Sequence, residues 1–293
     1  MFVGAIDTAS KFTRPIHSIA RTFGSNLPIP GAATLFFVNK DGWALTCKHV
    51  AEQVLASGNV NQQYSNYKQA LAAGAPSKNA REFRRKLQKT YNYAANSAIE
   101  LYFRFINCVQ PLKLSAILHP TYDAALIKFE EFTQMSCSSF PVFATDDSAL
   151  RQGKFLCRLG FPFPEFTNFE YDQQSDSIRW TQTGIQSTPQ FPLEGMLTRH
   201  LIDNNQKPWG FEMSTPGLRG QSGGPAFDAE GKVWGMQYAT NHLDLDFDVN
   251  QMVMRSGVKK QVTDSAFLHV GYCIHVAELK AFMRQHNVQF AEA

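Results

Sequence analysis

Short runs of aromatic and β-branched residues recur along most of this 293-residue chain, and they constrain the fold more than any other feature. Runs of this kind are typical of β-strands, especially where turn-forming residues separate them, as at residues 39–42 and 228–232. The predicted strands are residues 34–38, 43–46, 100–106, 124–129, 155–160, 178–186, 211–214, 233–239 and 271–276. So many short strands favour a barrel or a sandwich.

Helical periodicity is confined to two segments. Residues 64–92, interrupted by Gly-Ala-Pro at residues 74–76, predict a helical hairpin inserted among the strands at about residues 57–97. Residues 276–286 predict a carboxy-terminal helix. Residues 1–30 are expected to form an amino-terminal arm. Several Ser and Thr with three basic residues in residues 8–25 leave a transit peptide open as the alternative.

Composition excludes several classes of protein. The hydrophobic fraction of 44%, with 24 Phe, supplies enough apolar surface for a core, which argues against disorder. A net charge of +3, from 28 basic and 25 acidic residues, gives no support to nucleic-acid binding. Plainly apolar stretches such as residues 31–38 are much shorter than the roughly 18 residues of a membrane span. We therefore expect no nucleic-acid partner and no membrane span.

The five cysteines are odd in number and widely scattered, which predicts free thiols rather than a disulfide framework. No charged segment followed by an apolar one opens the chain, so no secretion signal is predicted. We expect a cytoplasmic location.

The most informative local sequence is Gly-Gln-Ser-Gly-Gly-Pro at residues 220–225. Glycines around Ser222 allow a sharp turn that exposes its Oγ atom and directs successive backbone N–H groups to one point, as an oxyanion hole requires. Ser222 is therefore a candidate nucleophile. The motif taken alone favours an ordinary Gly-rich hairpin loop over a nucleophile.

A serine hydroxyl becomes a good nucleophile only when a base removes its proton, and a histidine oriented by a carboxylate does this well. His49 follows the predicted strand at residues 43–46, and Asp123 begins the one at residues 124–129. Each could be an ordinary structural residue. The order His, Asp, Ser makes a catalytic triad the stronger interpretation.

Together these motifs resemble the trypsin-like, or chymotrypsin-fold, serine proteases, especially their bacterial HtrA-like branch. Leu-Thr-Cys-Lys-His-Val at residues 45–50 is similar to the histidine motif, residues 122–127 to the aspartate motif and residues 220–225 to the serine motif. Framework matches at residues 153–162, 184–187 and 271–274 extend the resemblance over about residues 31–286.

The resemblance implies an all-β fold with a helical insert, in which two six-stranded antiparallel barrels pack together and a carboxy-terminal helix follows. The first barrel would occupy residues 31–135 and the second residues 136–293. His49 would be the general base and acid, Asp123 its orienting carboxylate and Ser222 the nucleophile. The backbone N–H groups of Gly220 and Ser222 would form the oxyanion hole. The protein would then be a serine endopeptidase acting on protein or peptide substrates through an acyl-enzyme, with no metal or organic cofactor.

The resemblance also locates a specificity pocket. Its predicted residues are Thr215, Pro216, Gln237, Tyr238, Ala239 and His269. A preference for Arg or Lys would need a carboxylate at the base, where Pro216 stands, so a neutral or acidic residue is expected before the scissile bond. Gln237 and His269 could hydrogen-bond such a side chain.

Departures from the family pattern carry information. Val50 replaces the disulfide cysteine of secreted trypsins, which favours an intracellular or bacterial-type relative. The helical insert is not part of the ordinary framework and could bind a protein partner. No segment of PDZ length follows the predicted terminal helix.

Other functions fit less well. Residues 220–224 also satisfy the GxSxG motif of α/β-hydrolases, but Pro225 and the following turn leave no room for the helix that fold requires. Zinc binding would rest on Cys-x-His at residues 47–49 and 273–275, which are far apart. A nucleic-acid site would rest on basic residues 81–89, which fit a solvated helix face better. A catalytically silent protease-fold binding module, or a protease that needs an activating partner, is the more serious alternative.

Overall fold

The computed structural model describes residues 2–74 and 80–293. Its four α-helices are α1 (Val3–Ser10), α2 (Lys48–Ala73), α3 (Ala80–Thr90) and α4 (Val276–Gln285), and a short 3₁₀ helix covers Asp147–Ala149. The strands of the first half are β1 (Thr13–Thr22), β2 (Ile29–Phe37), β3 (Trp43–Thr46), β4 (Ala98–Phe105), β5 (Val109–Gln110), β6 (Leu114–Leu118), β7 (Ala125–Phe129) and β8 (Gln134–Met135). Those of the second half are β9 (Val142–Phe143), β10 (Phe155–Gly160), β11 (Phe169–Asp172), β12 (Ser177–Trp180), β13 (Phe191–Ile202), β14 (Pro208–Met213), β15 (Pro225–Phe227), β16 (Lys232–Arg255), β17 (Val258–His275) and β18 (Ala291–Glu292).

The first large sheet is a curled antiparallel sheet of six strands in the order β4-β1-β2-β3-β7-β6. The second contains six antiparallel strands in the order β15-β10-β13-β14-β17-β16, and pairing of β15 with β16 closes it into a barrel. Two short parallel strands, β9 and β18, extend its edge. The predicted all-β fold with a carboxy-terminal helix is confirmed.

One continuous apolar core joins the two sheets. It contains aromatic residues from both halves, among them Phe36 and Phe37 of β2, Phe129 of β7 and Phe211 of β14. The strands alternate buried apolar residues with polar ones, because one face of each sheet packs on the core. All five cysteines are buried and unpaired, as predicted. In the described parts of the chain, no helix combines the length and hydrophobicity needed to cross a membrane.

The amino terminus differs from the predicted arm of residues 1–30. Strand β1 lies between β2 and β4, so the first sheet begins at Thr13 rather than near residue 31. Its side chains are buried on both faces in several positions, which hides the two-residue periodicity of an exposed strand. Pro15 within the strand also weakened the sequence signal.

Two further predictions need correction. The helical insert does not begin near residue 57, because α2 starts at Lys48 and contains His49 in its first turn. The predicted break at residues 74–76 falls partly outside the described residues, since residues 75–79 are not described. The segment at residues 184–187, matched to a family strand, is an irregular loop, and β13 supplies the barrel strand instead.

Candidate active site

Strand register brings the histidine and aspartate motifs together. Strands β3 and β7 are antiparallel neighbours, and Thr46 at the end of β3 lies opposite Ala125 at the start of β7. Helix α2 begins directly after β3, while Asp123 directly precedes β7. The first turn of α2 and the carboxylate of Asp123 therefore meet at one edge of the first sheet.

Asp123 binds His49 through two separate groups. Its Oδ2 atom lies 2.7 Å from the ring Nδ1 of His49, and its Oδ1 accepts a bond of 2.9 Å from the backbone N–H of the same residue. The first N–H groups of a helix lack intrahelical acceptors, so a carboxylate there is stabilised by hydrogen bonding and by the helix dipole. Burial alone would raise the pKa of Asp123, but the hydrogen bonds from His49 outweigh it and lower the pKa below its usual value.

Several hydrogen bonds and a stacking contact fix the loop that carries Asp123. The Nδ1 atom of His119 accepts from the backbone N–H groups of Thr121 and Tyr122 at 3.1 and 2.9 Å. The ring of Tyr122 stacks on Trp209 with centroids 5.0 Å apart. Lys48 donates to the carbonyl oxygen of His119 at 3.1 Å, which ties this loop to the start of α2. These bonds restrict the position of the carboxylate.

Glycines shape the Ser222 loop as the sequence predicted. Gly220 and Gly223 have φ angles of +101° and +88°, a region that side chains disfavour. A Cβ atom on Gly223 would lie 2.1 Å from the carbonyl oxygen of Thr34. Thr34 also donates its backbone N–H to Ser222 O at 3.0 Å and its Oγ1 to Gly220 O at 2.8 Å. The loop of the second sheet is thus clamped to β2 of the first.

Ser222 and His49 line the same clefts. Within residues 2–74 and 80–293, no hydrogen bond joins their side chains, and the backbone N–H groups of Gly220 and Ser222 donate to no protein acceptor. Free N–H groups on either side of a candidate nucleophile are the donors that a developing oxyanion needs. Contacts between nucleophile and base are often longer without substrate and shorten when it binds.

Two clefts meet at His49, Arg219 and Ser222. One, of about 500 Å³, runs along β1, β2 and β4 and is lined largely by apolar residues such as Ile29, Leu101 and Phe103. The other, of about 370 Å³, lies against the second sheet. The residues lining it are His49, Gly217, Leu218, Arg219, Ser222, Gln237, Tyr238, Ala239, Thr240 and His242.

The predicted specificity pocket is only partly assembled as expected. Gln237, Tyr238 and Ala239 line the second cleft, but Thr215 and Pro216 do not. Their carbonyl oxygens instead accept hydrogen bonds from the buried guanidinium of Arg158.

His269 does not line the second cleft itself, but it contacts His242, which does. His269 is exposed in the long β16–β17 hairpin, because β17 extends far beyond the barrel before returning to it. Sequence reasoning also missed Arg158, although an arginine within the apolar strand sequence of residues 155–160 signals a buried charge.

Three potential metal ligands occur together at this site. One ligand atom each from Cys47, His49 and Asp123 lies within 4.8 Å of the others. Both oxygens of Asp123 already accept hydrogen bonds from His49. Burial raises the pKa of the Cys47 thiol well above its usual value, and its Sγ donates to Gln237 O at 3.3 Å. A neutral thiol is a poor metal ligand, so the cluster fits a hydrogen-bonded His49–Asp123 pair better than a cation site.

Comparison with known proteins identifies the family of this chain. A family model described as a trypsin-like peptidase domain matches residues 33–236, which is more than half of the chain. The chain belongs to this trypsin-like peptidase family. The resemblance inferred from the three motifs is thereby confirmed, and a peptidase activity is supported.

Two solved structures and a search of curated proteins complete the comparison. The active form of the Rv3671c protease from M. tuberculosis is 12% identical, with a TM-score of 0.47 over 98% of this trypsin-like chain and 86% of that one. An inactive mutant form of the same M. tuberculosis protein is also 12% identical, with a TM-score of 0.43 over 96% and 89% of the two chains. No curated protein matches the sequence.

Proposed function

We propose that this trypsin-like peptidase is a serine endopeptidase in which His49, Asp123 and Ser222 act as a triad. The observation that carries the proposal is the double hydrogen bond from His49 to Asp123, made in a cleft that Ser222 also lines. Because Asp123 binds the Nδ1 side of the ring, Nε2 is the nitrogen left to exchange a proton with Ser222.

The reaction follows from these positions. His49 removes the proton of Ser222 as Oγ attacks the carbonyl carbon of the scissile peptide bond. The backbone N–H groups of Gly220 and Ser222 donate to the oxyanion that forms. As the C–N bond breaks, His49 gives its proton to the leaving amine, and an ester to Ser222 is left. Water, deprotonated by His49, then attacks the ester and releases the acid product together with free Ser222.

Cleavage within a chain, rather than at its end, is supported by the two clefts. One runs along the first sheet and the other lies against the second, and both include Ser222 and His49, so an extended substrate can continue past the scissile bond into either cleft. The steps above need no cofactor.

The test is digestion of a diverse peptide library followed by mapping of the new termini. Internal cleavage by the native chain, lost in Ser222→Ala and retained in Ser265→Ala, is expected. Ser265 is an exposed serine of the long hairpin and serves as the matched control. Cleavage that survives in Ser222→Ala would reject the proposed nucleophile.

In the part of the chain that the structure describes, no hydrogen bond joins the side chains of Ser222 and His49. This observation favours a second candidate function. The chain could be a silent protease-fold binding module, or a protease that needs an activating partner. A native chain that binds library peptides without cleaving them would support this candidate over the first.

A further inference from the structure

Arg158 is a buried cation beneath the second cleft. It lies in β10, its side chain is fully buried, and its Nε atom has no hydrogen-bond partner. In the described portion of the chain, no carboxylate lies within 4.0 Å of its guanidinium. An unpaired charge in the interior is costly, so its presence next to a substrate cleft needs an explanation.

The guanidinium is held entirely by neutral acceptors. One terminal nitrogen donates to Gln237 Oε1 at 2.5 Å. The other donates to Thr215 Oγ1 at 2.6 Å and to the carbonyl oxygens of Thr215 and Pro216 at 3.0 and 3.1 Å. These bonds fix the position of Arg158 while leaving its positive charge uncompensated.

Arg158 also fixes the orientation of the Gln237 amide, which lines the cleft. Arginine can only donate, so Oε1 of Gln237 must face it and the amide nitrogen must face the other way. That nitrogen donates one N–H to Ala239 O at 2.5 Å and lies close to Gly217, where a Cβ atom would approach it to 2.1 Å. Its second N–H has no acceptor among the described residues, and Gln237, 2% exposed, belongs to the lining of the cleft.

Apart from the Asp123 carboxylate, which His49 binds, the charged groups at the second cleft are positive. Arg219 is exposed at the point where the two clefts meet, and it lines both. The lining of the second cleft includes no carboxylate. A cation beneath the floor, a fixed N–H donor at the floor and a second cation at the rim together favour an anionic side chain with acceptor oxygens.

We propose that the second cleft binds the side chain of an acidic residue, Glu or Asp, that immediately precedes the scissile bond. Gln237 contacts this side chain directly, and the charge of Arg158 attracts and positions it. This inference rests on the proposed endopeptidase function, because only then is the second cleft a substrate-binding site. It replaces His269 by Gln237 and Arg158 as the residues that determine specificity. Basic side chains are excluded by like charge.

The test measures binding, so that it does not depend on turnover. Ser222→Ala protein is titrated by calorimetry with four product-like peptides that differ only in a carboxy-terminal Glu, Gln, Leu or Arg. The Glu peptide should bind about tenfold or more tightly than the Gln peptide, the range for a hydrogen bond to a charged group. Equal binding of the Glu and Gln peptides, or tighter binding of Leu or Arg, would overturn the inference.

Variants in the same background assign the effect to residues. Arg158→Gln should bring the Glu-to-Gln affinity ratio close to one, whereas Arg158→Lys should keep most of it because the charge is retained. Gln237→Met should weaken both peptides while leaving the Leu peptide unchanged. Arg151→Gln, an exposed arginine of the loop before β10, is the matched control and should change nothing. If Arg158→Gln does not fold, unchanged affinity for the Glu and Gln peptides in Gln237→Met would still reject the assignment. Library cleavage by the native chain separately tests the proposed function.

Discussion

At the scale of single residues, the carboxylate of Asp123 forms two different hydrogen bonds with His49. It orients the His49 ring and also accepts the backbone N–H at the start of α2, so the position of the proposed base is coupled to the position of the helix. The three motif residues could be predicted from sequence because glycines, strand ends and chain order mark them. The family resemblance places Gln237 in the pocket, but its pairing with Arg158 could not be predicted, since it depends on contact between β10 and β16, which are distant in sequence.

The triad makes a kinetic prediction. Ser222→Ala should fold and lose roughly 10⁴-fold or more in turnover, because only substrate binding and the oxyanion site would contribute to the residual rate. His49→Ala should lose a similar amount, and the double variant little more, since the two residues act as one unit. Steady-state kinetics with a peptide cleaved by the native chain measures all three. Losses that multiply in the double variant would mean that the residues act independently.

At the scale of elements, α2 is more deeply integrated than a surface insert. Asn61 exchanges hydrogen bonds with the backbone of Leu101 in β4, and Tyr64 and Tyr67 pack on Ile99 in a separate apolar cluster. Helix α3 has no buried residue and is the exposed part of the insert. We propose that any partner bound by the insert contacts α3. The sequence predicted a helical hairpin correctly, but it could not show that α2 begins at the active site.

Arg21 is the centre of a hydrogen-bond network that joins four parts of the chain. Its Nε donates to Glu100 Oε2 at 2.6 Å, and its Nη1 donates to Asp176 Oδ1 at 2.8 Å. Asp176 also accepts from the Tyr64 hydroxyl of α2 at 2.7 Å. The network therefore joins β1, β4, α2 and the β11–β12 turn. Since Arg21 and Glu100 are both buried, removing one leaves the other charge without its partner.

Arg21→Ala should lower the free energy of unfolding by about 3–5 kcal/mol, as expected for breaking a buried ion pair from one side. Arg179→Ala is the matched control, because Arg179 pairs with Glu170 on the surface of the same β11–β12 hairpin, where solvent screens the pair, and its effect should be much smaller. Urea unfolding followed by fluorescence gives both values. Similar losses in the two variants would show that the buried network is no more important than a surface pair.

At the scale of the whole molecule, the sequence predicted the fold class but not every strand. Strand β1 carries Pro15 and is buried on both faces, so it lacked a clear alternating pattern. Strand β13 alternates in burial, but Pro192 and Gly195 within it weaken the sequence signal. The second barrel closes because β15 pairs with its hairpin neighbour β16 and also with the distant β10, and the pairing with β10 is a long-range property that no local pattern reports.

Two buried histidines make the whole fold sensitive to acid. Burial, with a smaller contribution from Arg104, lowers the pKa of His17 from its ordinary 6.5 to about 4. Burial also lowers the pKa of His275 to about 4. Between these values the unfolded chain binds protons that the folded chain does not. Stability is therefore full above pH 6.5 and falls as the pH is lowered towards 4.

The expected slope is about 1.4 kcal/mol per pH unit for each histidine in the lower part of this window. His17→Gln and His275→Asn should each make the free energy of unfolding less dependent on pH, and Asn keeps an acceptor for the N–H of Ala277 at the start of α4. His242→Gln, at an exposed position, is the control. Urea unfolding at several values between pH 5 and 7 measures the slopes. The same slope in all four proteins would contradict the assignment.

Covalent labelling by a fluorophosphonate tests the central claim most directly, because the reagent reacts with a serine that is activated by a neighbouring base and an oxyanion hole. Mass spectrometry of the digested protein locates the adduct. We expect one adduct on Ser222 in the native chain, lost in urea and greatly slowed in His49→Ala. No adduct on Ser222 between pH 6 and 9, or an adduct formed equally well without His49, would contradict the account.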